Sequence, residues 1–227
     1  MTPIAQNLQE VRAAISAACQ RAGRDPGRVR LVAVSKTVDL ERIRAAIDAG
    51  QDLFGENYLQ EARAKIAALG RQVNWHLVGH LQSNKARGAV ELFDLIHAVD
   101  RLKLAQALSA AAAPQGKVQD VLIQVNQGGE ATKSGVMPAA APALLQEVAR
   151  LPHLRVLGLM TMPPWFSDPE AARPYFLALR ELRDRLRGLT GLPLTELSMG
   201  MSGDFAVAVE EGATLVRVGA AIFGQRR

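Results

Sequence analysis

The sequence predicts an α/β fold: a closed (β/α)8 TIM-type barrel in a single domain, residues 1–227, with an extra N-terminal helix over 1–23 packed on the barrel. Three observations carry this. Short β-rich runs alternate with helical runs eight times along the chain, and such alternation implies a parallel sheet. The 227 residues, 48% of them hydrophobic, suffice for one sizeable core. The competing open, doubly wound sheet carries a Gly-x-Gly-x-x-Gly turn after its first strand; this chain has Ser35-Lys36-Thr37 there.

The N-terminal helix is read from Ile4, Leu8, Val11, Ile15 and Ala18, spaced as on one helix face. Gln, Glu and Arg interrupt it, whereas a signal peptide needs an unbroken apolar stretch. The helix ends near Gly23, and Asp25-Pro26-Gly27 makes a turn. The first strand covers 30–35. Asp39 N-caps a helix that runs to Ala49 and stops at Gly50. The second strand, 52–55, leads to a helix over 57–69. The third, 74–78, leads to a short helix near 84–92. The fourth, 95–99, precedes an Ala-rich helix over 101–113. The fifth, 118–125, is followed by a helix over 139–151, and the sixth, 155–161, by a long helix over 168–189. Strands seven and eight, 194–198 and 214–218, are followed by helical segments at 204–211 and 220–223.

Composition removes several function classes. Mean hydropathy of +0.04 with 22% charged residues excludes a disordered or collagen-like chain. No apolar run approaches the ~20 residues that span a bilayer, so no membrane partner is expected. The single cysteine, Cys19, excludes intramolecular disulfides and cysteine-cluster zinc sites and suits a cytoplasmic location. The net charge of +5 raises the question of nucleic acid. The densest basic group, Arg180, Arg183, Arg185 and Arg187, is interleaved with Glu181 and Asp184 and reads as a solvated helix face. Two Tyr and two Trp provide no stacking platform, so nucleic acid is not expected. His76, His80, His97 and His153 lack metal-ligand spacing, and neither Gly-x-Ser-x-Gly nor a Walker A motif is present. His80 reads as structural rather than as a proton carrier, and Met160 and Met162 as space-filling.

In a parallel barrel the chemistry sits at the C-terminal strand ends. Lys36 follows the run Leu31-Val32-Ala33-Val34-Ser35 and shares a face with Val32 and Val34. A lysine there either extends to solvent or is held as a desolvated amine, the form that attacks carbonyls; the spacing leaves both readings open. The segment 197–204, LSMGMSGD, resembles an anion cradle. Ser198 and Ser202 offer hydroxyls, and Gly200 and Gly203 permit close backbone approach, just before a helix start. Asp204 would repel an anion, so it is expected to face away and cap that helix. Arg217, inside the last strand, needs an acceptor such as a carboxylate or a heterocyclic nitrogen. Gly219 could present an N–H to the same anion.

Together these stretches resemble the pyridoxal phosphate homeostasis proteins. The motifs are LVAVSKT (31–37), FGENYLQEA (54–62), WHLVGHLQSNKA (75–86), GLMTM (158–162), LSMGMSGD (197–204) and VRVGAAIFG (216–224), in order across nearly the whole chain. The resemblance implies a barrel like the N-terminal domain of alanine racemase, with pyridoxal 5′-phosphate (PLP) held as an internal aldimine on Lys36. It places Ser198, Gly200, Met201, Ser202 and Gly219 around the phosphate, Arg217 at the pyridine nitrogen and Asn57 near the ring. The chain departs from the family pattern at Val38 and Asp39, where a second lysine and a proline are usual, and at Ala220, where threonine is common. The loop over 126–135, with Lys133, broadly fits.

Two functions follow. One is a cytoplasmic, monomeric PLP-binding protein that buffers the cofactor or delivers it to PLP-dependent apoenzymes. The other is a PLP-dependent amino-acid racemase, which needs proton carriers on both faces of the substrate Cα. Alanine racemase-like enzymes take the second carrier, a tyrosine, from a further domain. This chain ends just after the barrel and has only Tyr58 and Tyr175, so the non-enzymatic function is expected.

Overall fold

A computed structural model of the protein describes residues 2–130 and 134–224; Lys133 lies outside the described residues. Eight parallel strands close a barrel in chain order: β1 (Arg30–Val34), β2 (Leu53–Glu56), β3 (Asn74–Leu77), β4 (Leu95–Val99), β5 (Gln119–Gln124), β6 (Leu154–Met160), β7 (Glu196–Ser198) and β8 (Leu215–Val218). Closure is made by β1 against β8, with Val32 opposite Arg217. The helices are α1 (Pro3–Arg21), α2 (Leu40–Asp48), α3 (Leu59–Leu69), α4 (Ala86–Leu92), α5 (Leu102–Ala112), α6 (Ala141–Ala149), α7 (Arg173–Thr190), α8 (Phe205–Glu210) and α9 (Ala220–Phe223). The predicted barrel and its N-terminal helix are both present.

The strands are buried on both faces, which is why they read as continuous apolar runs. Alternate residues feed two cores. Leu31, Ala33, Phe54, Trp75 and Leu77 belong to the core shared with the helices. Val32, Leu53, Val78, Leu95, Leu122, Met160 and Leu215, one from each of seven strands or strand ends, form a separate cluster that fills the barrel. Val34 packs on that inner cluster, so the face carrying Val32, Val34 and Lys36 is the interior face. Gly158 lets β6 approach β7: a Cβ there would lie 1.8 Å from Glu196 O.

Helix α1 buries Ile4, Leu8, Val11, Ile15 and Ala18, the residues that predicted it, against α2, α8 and α9. Arg24, just beyond it, donates to the carbonyls of Val209 and Ala213. Asp39 caps α2 as expected, accepting from Arg42 N at 2.9 Å. Several boundaries differ from the sequence reading. Helix α3 starts two residues late because Asn57 and Tyr58 stay outside it, Tyr58 in an extended conformation. Strand β7 starts late because Leu194 has φ of 36°. Asp168 caps a 3-10 turn, Pro169–Ala172, ahead of α7. In the basic group on α7, Arg180 pairs with Glu211 and Arg183 with Asp184. Among the described residues, no helix is long and apolar enough to cross a membrane.

Candidate functional site

A cavity of about 1110 Å³ opens at the C-terminal ends of the strands. Lys36, Asn57, Met201, Ser202, Arg217 and Gly219 line it, so the structure brings six of the eight expected site residues to one cavity. Ser198 and Gly200 do not line it; both are buried below. Trp165, 83% exposed, stands at the rim. Tyr58, 62% exposed, is not part of the lining.

Lys36 enters from the turn after β1, and Thr37, with φ of 62°, swings the chain away immediately afterwards. Asn57 follows β2. Gly79 makes room beside it, since a Cβ at 79 would lie 2.7 Å from Asn57 Cα. Val38 packs in the outer core and also lines the cavity.

At the ends of β7 and β8, Ser202 Oγ accepts from the backbone N–H groups of Gly219 at 3.3 Å and Ala221 at 3.4 Å. Two backbone donors and a hydroxyl therefore converge on one point, a composition suited to an oxyanion. Gly219 is tightly placed, as a Cβ there would lie 3.1 Å from Val34 O. Gly200, at φ of 90°, serves helix packing: a Cβ would lie 2.6 Å from Ala208 Cβ.

Asp204 corrects the sequence reading. Its side chain makes no cap bond to α8. It turns back to accept from Met201 N at 2.6 Å and lines the cavity. The Met201 amide holds this orientation, and Arg217 attracts the carboxylate through space. Burial raises the Asp204 carboxyl above its ordinary range, the Met201 bond and Arg217 opposing this. Asp204 thus stands in the cavity that it was expected to face away from.

Arg217 is buried within β8. It donates to Ser198 Oγ at 2.6 Å and to the Thr161 carbonyl at 2.8 Å. Ser198 Oγ lies 2.9 Å from His97 Nδ1, and His97 Nε2 lies 3.0 Å from His76 Nδ1. Arginine only donates, so Ser198 accepts from it and has its own hydrogen for His97; His97 Nε2–H then serves His76. Burial lowers His76 to about 3 and, with His76 and Arg217 nearby, holds His97 well below its ordinary value. Burial also lowers Arg217, to about 10, leaving it a cation at neutral pH. A permanent charge therefore sits at the cavity floor on a chain of neutral groups.

Sequence reasoning missed this chain. His76 and His97 lack metal spacing, and among the described residues no cluster suits a metal; they serve as hydrogen-bond partners instead. The period-2 alternation that points Leu95 inward also points His97 inward, and was the available clue. His80, read as structural, lines the cavity and meets Ser134 Oγ at 2.9 Å through Nδ1.

Comparison with known proteins agrees with this architecture. The family model described as alanine racemase, N-terminal domain, matches residues 6–227. A pyridoxal phosphate homeostasis protein of Pseudomonas aeruginosa is 48% identical over 227 residues, covering 100% of this chain and 97% of that one. One from Aquifex aeolicus is 46% identical over 223 residues, covering 98% of each. The structure of PipY from Synechococcus elongatus with PLP bound is 40% identical with a TM-score of 0.87, covering 97% of this chain and 100% of that one. This chain belongs to the alanine racemase N-terminal domain family and, within it, to the pyridoxal phosphate homeostasis proteins.

Proposed function

We propose that the protein binds pyridoxal 5′-phosphate in this cavity, covalently through Lys36, and buffers or delivers it in the cytoplasm as a single-domain, monomeric carrier. One observation carries the reading: a lysine, a cluster of oxyanion donors and a buried permanent cation line the same cavity. The full-length relatives named for PLP homeostasis, and a relative solved with PLP, support it.

The residues fit the cofactor. Ser202 and the N–H groups of Gly219 and Ala221 would take the phosphate, Arg217 the pyridine nitrogen, and Asn57 a place beside the ring. Ser198 and Gly200 act from beneath, Ser198 by fixing Arg217. When bound, the cofactor would supply an aldehyde able to react with a neutral amine, and Lys36 would present that amine. Arg217 keeps its proton at neutral pH; donating to the ring nitrogen, it would leave that nitrogen unprotonated and the ring a poor electron sink. Storage of the cofactor is favoured over carbanion chemistry.

Transfer tests this function. Loaded protein should activate a PLP-dependent apoenzyme with the rise in activity matched by loss of bound cofactor, and should not turn over free amino acids. The racemase reading gains support from His80, an acid–base group on the cavity wall. Racemisation of an amino acid by the purified protein, abolished by Lys36→Ala, would establish it in place of storage.

A further inference from the structure

On the helix side of β1 and β2, behind the cavity wall, lies a buried charge cluster with no direct part in the lining. Lys65 of α3 is 5% exposed. Its ammonium donates to Ser35 O at 2.5 Å, Glu56 Oε1 at 2.8 Å and Glu61 Oε1 at 2.6 Å. Glu56, at the end of β2, is fully buried and also accepts from Ser35 Oγ at 2.6 Å. Glu61, one helical turn before Lys65, accepts from the Thr37 N–H at 2.5 Å.

Two of these bonds, from Lys65 and to Glu61, fall on the two peptide groups that flank Lys36. The Ser35 carbonyl belongs to the peptide plane before its Cα, and the Thr37 N–H to the plane after it. Peptide groups are planar, so φ and ψ are the only soft backbone torsions at Lys36. Holding both planes fixes both torsions and sets the direction of the Lys36 side chain. The arrangement also holds Thr37 at φ of 62°, a region that a β-branched residue avoids unless its surroundings impose it. A buried cation among carboxylates is a poor source of stability compared with apolar packing, which leaves its geometry as its distinguishing product.

We propose that Lys65, Glu56 and Glu61 are positioning residues that aim Lys36 into the cavity for capture of the cofactor's aldehyde. This rests on the reading that Lys36 is the attaching amine. The test uses the full-length chain as wild type, Glu61→Ala, Lys65→Met and Lys65→Arg. The probe is unphosphorylated pyridoxal, which lacks the phosphate that would otherwise hold it in place. After borohydride reduction, the label at Lys36 is quantified by peptide mass. Amide exchange at Thr37 is followed in the cofactor-free protein.

Glu61→Ala should keep the wild-type circular dichroism spectrum and inorganic phosphate affinity. Its Thr37 amide should exchange at least about tenfold faster, and Lys36 labelling should fall at least about tenfold. Lys65→Met should lose labelling further, with partial recovery in Lys65→Arg. If Lys65→Met does not fold, the partly exposed Glu61 site decides the matter. Wild-type labelling of Lys36 in folded Glu61→Ala overturns the proposal. Labelling of wild type at a lysine other than Lys36 overturns the cofactor reading beneath it, a result that the Thr37 exchange rates distinguish.

Discussion

Lys36 and Arg217 line one cavity from adjacent strands, and their surroundings differ in kind. Behind Lys36 the partners are charged: Lys65 and Glu61 grip the flanking backbone from the helix side of the barrel wall, and Glu56 holds Lys65 and the Ser35 hydroxyl. The direct hydrogen-bond partners of Arg217 are neutral, a hydroxyl and a carbonyl backed by two uncharged histidines inside the barrel, while Asp204 acts on it through space without a bond. A guanidinium facing a carboxylate would be neutralised, whereas neutral acceptors orient it and leave its charge available to a ligand. The Lys36 side requires aim rather than charge, and charges directed at its backbone supply aim from outside the cavity. The difference separates two jobs: presenting a cation and pointing an amine.

The most disruptive way to break the comparison is Arg217→Gln. It removes two buried hydrogen bonds and leaves Ser198 and Thr161 under-satisfied. We expect a loss of about 2–4 kcal/mol in unfolding free energy by denaturant titration. In protein that still loads cofactor, the absorption spectrum should shift as the ring nitrogen loses its donor; an unchanged spectrum would mean that Arg217 does not reach the ring.

Next comes the vitamer comparison. Charge-assisted hydrogen bonds contribute about 1.5–3 kcal/mol each. Pyridoxal should therefore bind at least about 100-fold more weakly than its phosphate by equilibrium titration. Ser202→Ala should cost the phosphorylated form about tenfold and pyridoxal almost nothing. Equal affinities of the two vitamers would remove the cradle.

The neutral histidine chain makes an acid-limb prediction. Unfolded histidines take up protons near 6.5, whereas folded His76 resists to about 3 and His97 is also held low. Between those values the unfolded state binds more protons, so stability falls as pH falls, by up to about 1.4 kcal/mol per histidine per pH unit. His76→Gln with His97→Gln should flatten the slope of unfolding free energy against pH below about 6. An unchanged slope would mean that these histidines are charged in the folded state.

The smallest effect is expected from Asp204→Asn. An acid raised on folding stabilises the folded state below its unfolded value and loses that contribution as pH rises. The variant should remove part of the stability decline on going from acid toward neutral pH, while Glu56, also raised by burial, keeps its share. Because asparagine can still accept from Met201 N, the change should stay within about 1 kcal/mol. Phosphate affinity should rise a few-fold by calorimetry as the residual repulsion disappears.

The fold was legible because alternation in type, apolar runs and turn residues are local properties. Lys36 was legible because it shares a period-2 face with Val32 and Val34, and the structure resolves which face that is. The loop over 197–204 was legible as a candidate cradle, but not which of its members face the cavity. Gly200 looks the same in sequence whether glycine admits a ligand or a helix, and the contacts with Ala208 and Phe205 are long-range facts. Asp204 was misread because a cap and a turn back to Met201 use the same residue type. The support behind Lys36 and Arg217 was hidden for the same reason: His97 meets Ser198 across 101 positions, and Lys65 meets Ser35 across 30.

Peptide mapping tests the central claim most directly. Protein loaded with PLP, reduced with borohydride and digested should carry the cofactor's mass on the peptide containing Lys36, with the label lost from that position in Lys36→Ala. A reduced label on Lys85 or Lys103 of wild-type protein, with Lys36 unmodified, would contradict the assignment of this cavity.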